Sequence, residues 1–474
     1  MLSILDPSSD RNCQGFCRRE FLKIGALGLF GGLTLPNLLA SRAKAADGYG
    51  SGRPVNGKSV VLLLLQGGPS HIETFDPKMS APAEVRSVTG EVPTNLPGIT
   101  FGGSFPKLAA MADKLAVVRN YGSKNNDHSY LAATGGGNPL KASMSALYTR
   151  VAGPINQKNG MPTNVLVLPE AVQTGLKMGS NFETGALPTL TAAGDLGPAY
   201  GAFDPAAGGE FKRVMQMHMD PTRFDDRRQL LGQLDGLRRR IDASGALNNY
   251  DRFQQHAFDL VVKGVVQAFD LAKEDPSTVD RYDTSKLFRL EEVTKWYDMK
   301  RSSNLLGKQM LLARRLCEAG VGFVTVSDCG WDMHSNNNSP KNLGGMNWLG
   351  PQVDHAVSAF LQDIHERGLS DKILLVVTGE MGRSPRRNRD GGRDHYGNLT
   401  PLLLAGGGLK MGQVIGHSDK SAAHPAADPQ TPANLVATVL RTVLDANEIR
   451  TMTNLGKTAD IVSTGVPIPG LLAE

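Results

Sequence analysis

Ser59-Val-Val-Leu-Leu-Leu-Leu65, followed by Gln66-Gly-Gly-Pro-Ser-His-Ile-Glu-Thr-Phe-Asp-Pro77, decides the fold class. Seven residues, nearly all apolar and stopped by a Gly-Gly-Pro turn, predict a strand buried on both faces, as a central parallel strand must be. The turn then opens at the strand's C-terminal end. In an open α/β sheet that edge gathers loops and ligands. His71, Glu73 and Asp76 follow the turn. Each alone reads as an ordinary polar loop residue; their place makes His71 a candidate substrate-binding group.

The pattern recurs along the chain. Ser80 to Thr100 lacks any sustained period and reads as a surface excursion, and Phe105 to Asp113 predicts a short helix. Leu115-Ala-Val-Val-Arg119 predicts a second strand, ending in Asn120-Tyr-Gly-Ser-Lys-Asn-Asn-Asp-His-Ser129 before a short helix at Tyr130 to Thr134. A helix start at Asp127 to Ser129 would aim backbone N–H groups at an anion, or Asp127 or Ser129 is simply the N-cap. His128 has no such local role. Asn164 to Leu168 predicts a strand; the Gly/Ala/Pro-rich remainder of 161–220 reads as insertion. Leu230, Leu234, Leu237 and Ile241, then Phe258, Val261, Val265 and Phe269, mark helical faces in an insertion around residues 200–300. Arg238-Arg239-Arg240 reads as a solvated face.

The second half alternates clearly. Leu306, Met310, Ala313 and Leu316 mark a helix, Val321 to Val326 a strand, Val353, Val357, Phe360 and Ile364 a helix, and Lys372 to Thr378 a strand. Pro401 to Ala405 predicts a strand, and Thr431-Pro432 opens a helix from Ala433 to about Asp445. The fold class is α/β with a mostly parallel central sheet.

Candidate chemistry sits after the strands. Asp332, His334, Glu380 and His395 supply the imidazole and carboxylate groups that hold zinc, manganese or similar ions. Asp-x-His alone is a weak motif; its weight comes from several such residues on one predicted sheet edge. Arg383 and Arg393 are of the type that clamps phosphate or sulfate bidentately, or pairs with a neighbouring carboxylate.

The N-terminus reads as an address. Cys17-Arg18-Arg19-Glu20-Phe21-Leu22-Lys23 is a twin-arginine pattern, followed by an apolar run from Ile24 to Ala40 and a small-residue cleavage site at Ala43-Lys44-Ala45. Four glycines and Pro36 interrupt that run, which is too weak for a membrane span. Residues 1–45 are expected to be a removable export signal, handed to the twin-arginine translocase and leading to the periplasm or cell envelope. The domain, 46–474, then has no integral membrane segment. The 474 residues carry a formal charge of +5; the signal takes six basic and three acidic residues, leaving 45 against 43 and a net charge of +2. Nothing in that balance calls for nucleic acid. Cys13 and Cys17 leave with the signal, and a disulfide between Cys317 and Cys329 stays open. With 40% hydrophobic residues the chain can bury a large core, as one domain or one domain with a cap.

The twin-arginine leader, residues 66–78, Gly-Trp-Asp-Met-His (330–334), Thr-Gly-Glu-Met-Gly-Arg-Ser-Pro (378–385) and Gly-Gly-Arg-Asp-His-Tyr (391–396) together resemble domain-of-unknown-function family 1501. That family is related to the sulfatases and alkaline phosphatases and is abundant in planctomycetes. The resemblance implies an alkaline-phosphatase-like three-layer α/β/α sandwich with one or two metals beside a nucleophile. It implies Asp332, His334 and His395 as ligands of one metal (zinc, manganese or calcium) and Glu380 as a carboxylate of the second. The nucleophile region would be Asp127 to Ser129, making His128 and Ser129 catalytic candidates; by residue type and position Arg383 is the third, holding the anion, with His71 and Arg393 as substrate-binding candidates. The chain also departs from that pattern. Gln66-Gly67-Gly68 stands where a metal-binding Asp is expected, Met381 where a histidine is, and no Cys-x-Pro-x-Arg nucleophile motif is present. The expected activity is metal-dependent hydrolysis of phosphate or sulfate esters, on a small molecule or glycan. The alternatives are a non-catalytic envelope protein binding an anionic glycan or partner, and a purely structural metal site.

Overall fold

The apolar run at 59–65 lies in the middle of the sheet it predicts. The computed structural model describes residues 54–156, 158–173, 176, 185–206, 266–296, 304–337 and 342–472, and those residues belong to one unit, Pro54–Glu474. The strands are β1 (Ser59–Leu65), β2 (Glu91–Pro93), β3 (Thr100–Gly102), β4 (Leu115–Val118), β5 (Asn164–Val167), β6 (Phe323–Asp328), β7 (Ile373–Thr378), β8 (Gly382–Arg383), β9 (His395–Tyr396), β10 (Leu402–Gly406) and β11 (Gln413–Ile415). Seven of them form the central sheet in the order β11-β4-β10-β7-β1-β6-β5; β2 pairs with β3 and β8 with β9. β1 is parallel to both neighbours, in register Val60 with Phe323 and Leu374.

β1 is buried at all seven positions, so each face must be covered. Val61, Leu63 and Leu65 pack into one core with α2 (Leu306–Glu318) and α3 (Met346–Glu366), once α1 (Met144–Ala152) is counted first along the chain. Val60 and Leu62 point the other way, into a core with α1, α4 (Pro432–Val443) and α5 (Lys457–Thr464). The period of two along β1 therefore feeds two separate cores, and the result is a three-layer α/β/α sandwich, as expected.

β10 is antiparallel to β4 and β7, so the sheet is parallel except for this one strand. The reason is the connection. A parallel return needs a crossover of a dozen or more residues, usually through a helix. Residues 379–401 hold only β8 and β9 and stay at the C-terminal edge, so β10 must start from that edge.

α1 and β11 were not anticipated. Positions 144–149 of α1 are all buried, which erases an amphipathic period, and β11 is a three-residue, half-buried edge strand. The stripes at 230–241 and 258–265 and the export signal lie outside the described residues. Cys317 and Cys329 are both buried and not joined in a disulfide; burial pushes the Cys317 thiol up to about 12. No described helix is long and apolar enough to cross a membrane.

Candidate metal centre at the sheet edge

Three loops leave the C-terminal ends of β1, β6 and β7 and meet. Gly67 makes their meeting close. It has φ +108°, and a Cβ there would come within 2.3 Å of the Asp332 backbone nitrogen. Its N–H donates to Glu380 Oε1 at 2.9 Å. Gln66-Gly67-Gly68 thus lets the β6 loop pack onto the β1 loop, a contact that a side chain at 67 would block.

Asp332 is the hub. Its carboxylate, 1% exposed, faces His334 Nε2 at 3.1 Å on one oxygen and His395 Nε2 at 3.2 Å on the other, with His128 Nε2 at 3.8 Å from that second oxygen. Arg383 donates to the same oxygen. Burial alone would raise the Asp332 carboxyl, but hydrogen bonds with His334 and His395 and the charge of Arg383 outweigh it and hold the group well below the usual carboxylate range. The imidazoles of His128 and His334 both meet the His395 ring edge-to-face, at centroid distances of 4.8 and 5.1 Å.

One ligand atom from each of His128, Asp332 and His395 lies within 4.8 Å of the others. Two imidazoles and an ionised carboxylate are a donor set that fits a divalent ion. The set differs from the expected one. His128, anticipated as catalytic, is grouped with Asp332 and His395, while His334 stands on the opposite Asp332 oxygen.

Glu380, expected on a second metal, is fully buried and bonds His128 Nδ1 at 2.9 Å. A carboxylate on Nδ1 fixes the imidazole so that Nε2 faces the cluster. Glu380 Oε2 is buried with no hydrogen-bond partner among the described residues. His395 is oriented likewise, through Nδ1 and the Asn126 carbonyl at 3.1 Å. Asn126 was not singled out in the sequence; the available signal was the polar run 120–129 in which it stands.

Four expectations change. Arg383 does not clamp an external anion, because its buried guanidinium is committed to Gly68 O (2.8 Å), Arg393 O (3.1 Å), Gly67 O and Asp332. Arg393 is fully buried and bonds Glu73 (2.8 Å) and the carbonyls of Val85, Arg86, Ser384 and Pro385. His71 is 5% exposed, bonds Ala422 O through Nε2 at 3.0 Å, and is lowered to about 4 by burial, partly opposed by Asp76, so it is neutral and turned into the interior. Ser129 is exposed, its hydroxyl makes no hydrogen bond among the described residues, and it stands at the N-cap of the short helix Tyr130–Gly135 without a side-chain capping bond.

A buried carboxylate ringed by imidazoles thus stands at the C-terminal edge of the central sheet of a three-layer α/β/α sandwich. The chain belongs to the family described as protein of unknown function (DUF1501), whose model matches residues 57–472. No curated protein matches it. Among solved structures it is similar to a phosphonate monoester hydrolase from Silicibacter pomeroyi (14% identity, 82% of this chain and 74% of that one, TM-score 0.33). It is also similar to a sulfatase from a Pseudoalteromonas species (12%, 85% and 69%, TM-score 0.33) and an alkaline phosphatase from the Antarctic bacterium TAB5 (11%, 81% and 99%, TM-score 0.31).

Proposed function

We propose that the protein is an exported hydrolase of phosphate or sulfate esters that holds one divalent cation at His128, Asp332 and His395. The observation that supports this is the convergence of those three ligand atoms within 4.8 Å, around a carboxylate held ionised. Two nitrogens and one oxygen suit zinc or manganese better than calcium, which takes oxygen ligands. In this reading Glu380, whose Oε1 accepts from Gly67 N and faces His128 Nδ1, positions His128.

Bound there, the cation supplies Lewis acidity toward an ester oxygen. The chain's residues do the rest. Glu380 fixes His128, the Asn126 carbonyl fixes His395, and Arg383 holds Asp332 against rotation. His334 and His395, 31% and 29% exposed, form the open side through which substrate and water enter. Because the Ser129 hydroxyl contacts none of these groups, water is a better-supported nucleophile than Ser129. Twin-arginine export to the periplasm or envelope belongs to the same proposal and rests on Arg18-Arg19 and the run that follows.

The test is hydrolysis of 4-nitrophenyl phosphate and sulfate esters by the purified chain, with and without chelator, beside His395→Ala. The expected loss in kcat/KM on chelation or substitution is on the order of 100-fold. Equal turnover in all three samples would overturn the proposal. Metal uptake with no ester turned over would instead favour the non-catalytic binder, the reading to which Gln66 and Met381 point.

A further inference from the structure

Beside the centre lies a second concavity that the hydrolytic reading does not use. A cleft of about 540 Å³ is lined by Val88, Thr89, Ser104, Asn347, Pro351 and Arg387, among others. Val88 and Thr89 come from the segment after β1, Ser104 from the turn after β3, Asn347 and Pro351 from α3, and Arg387 from the segment between β8 and β9. One wall is shared. Asn388 donates to the His334 carbonyl at 2.7 Å, and Gly392 packs so closely on His334 that a Cβ would meet its Cα at 2.6 Å. The walls are also stapled together. Glu73 accepts from Ser87 Oγ (2.8 Å) and Val88 N (3.0 Å) on one side and from Arg393 on the other, both groups fully buried. The Glu73–Arg393 pair thus ties the segment at Ser87 and Val88 to the one between β8 and β9.

The lining describes its ligand. Val88, 42% exposed, and Pro351 offer apolar surface, while Thr89, Ser104 and Asn347 offer hydroxyl and amide groups. Pro351 sits inside α3 and has no N–H to give the Asn347 carbonyl, so the regular helix bond onto that acceptor is missing. Arg387 is the one charged residue among the described lining. Its guanidinium is steered by the Ala83 carbonyl (2.8 Å), and it has no ion-pair partner among the described residues, whereas neighbouring Arg386 pairs with Glu84 at 3.5 Å. No aromatic ring is present among the described lining to stack a nucleobase. Small apolar faces, hydroxyl partners and one uncompensated guanidinium suit a sugar ring bearing one anionic group.

We propose that this cleft is a subsite for an acidic saccharide unit, with Arg387 reading its sulfate or carboxylate while the neighbouring centre receives the ester. This rests on the hydrolase reading of that centre. Calorimetry tests it on the full chain, with 6-O-sulfo-N-acetylglucosamine, digalacturonate, neutral cellobiose and inorganic sulfate as probes. The first two separate a sulfate from a carboxylate source. At least one acidic sugar is expected to bind tenfold or more tighter than cellobiose and than sulfate alone. Arg387→Gln is expected to erase the difference from cellobiose, and Asn347→Trp, which fills the cleft, to abolish sugar binding, each in a chain shown to be folded by circular dichroism. Equal affinity for neutral and acidic sugars, equal affinity for bare sulfate, or unchanged binding in both variants would overturn it. Binding is read without turnover, so acidic-sugar binding by a chain that hydrolyses no ester would sink the proposed function and leave the subsite standing.

Discussion

Asp332→Ala is expected to cost about 3–5 kcal/mol of folding stability, besides whatever it does to activity. The Asp332–Arg383 pair has both side chains 1% exposed, and removing the carboxylate leaves a guanidinium charge in the interior. Arg383 keeps the carbonyls of Gly67, Gly68 and Arg393, but dipoles do not neutralise it. Urea denaturation at pH 7 checks this; a loss below about 1 kcal/mol would show that the pair contributes little. The pH dependence has a definite sign. Because the folded carboxyl is held far below its unfolded value, its stabilisation is present above the unfolded carboxylate pKa of about 3.9 and is lost as pH falls toward the folded value. The gap between the wild type and the Ala variant should therefore hold above about pH 4 and narrow progressively below it, by at most about 1.4 kcal/mol per pH unit. Lost activity in Asp332→Ala is consequently weak evidence for a metal, and variants of His128 and His395 are the better probes.

Arg393→Met is expected to cost a similar 3–5 kcal/mol. It strands the buried Glu73 carboxylate with only Ser87 Oγ and Val88 N as donors, and it leaves the Val85, Arg86, Ser384 and Pro385 carbonyls without their partner. Those carbonyls belong to the two loops that Arg393 ties together, so faster amide exchange should concentrate at residues 84–89 and 384–394. Glu73→Met/Arg393→Met removes both charges and is expected to recover part of the loss, since a buried pair replaced by apolar groups is often near neutral. A double variant no more stable than the single would show that the charge pair is not what matters.

The central sheet was legible because β1 and β7, buried on both faces, are nearly continuous apolar runs, and β6 follows a helical stripe and a glycine with Phe323, Val324 and Val326. The direction of β10 follows from the helix-free connection before it, a feature present in the sequence but decisive only once β8 and β9 are placed. At the site, Asp332 and His395 were legible by residue type and position. The roles of Arg383 and Arg393 were not. An arginine after a strand looks the same whether it awaits an anion or is already saturated, and Glu73, the charged partner of Arg393, stands 320 residues away. His128 and Glu380 were both singled out, but their bond spans 252 residues and no local pattern encodes it. Gln66-Gly67-Gly68 read as a departure from the family pattern; the close approach of Asp332 N to Gly67 gives that departure a steric reason.

The most direct test of the central claim is elemental analysis of the purified chain after loading with zinc or manganese and exhaustive dialysis, alongside His128→Ala and His395→Ala. About one ion per chain in the wild type, with loss from both variants while circular dichroism shows them folded, is the predicted result. A wild type that retains no ion, or variants that retain as much as it does, would contradict the account.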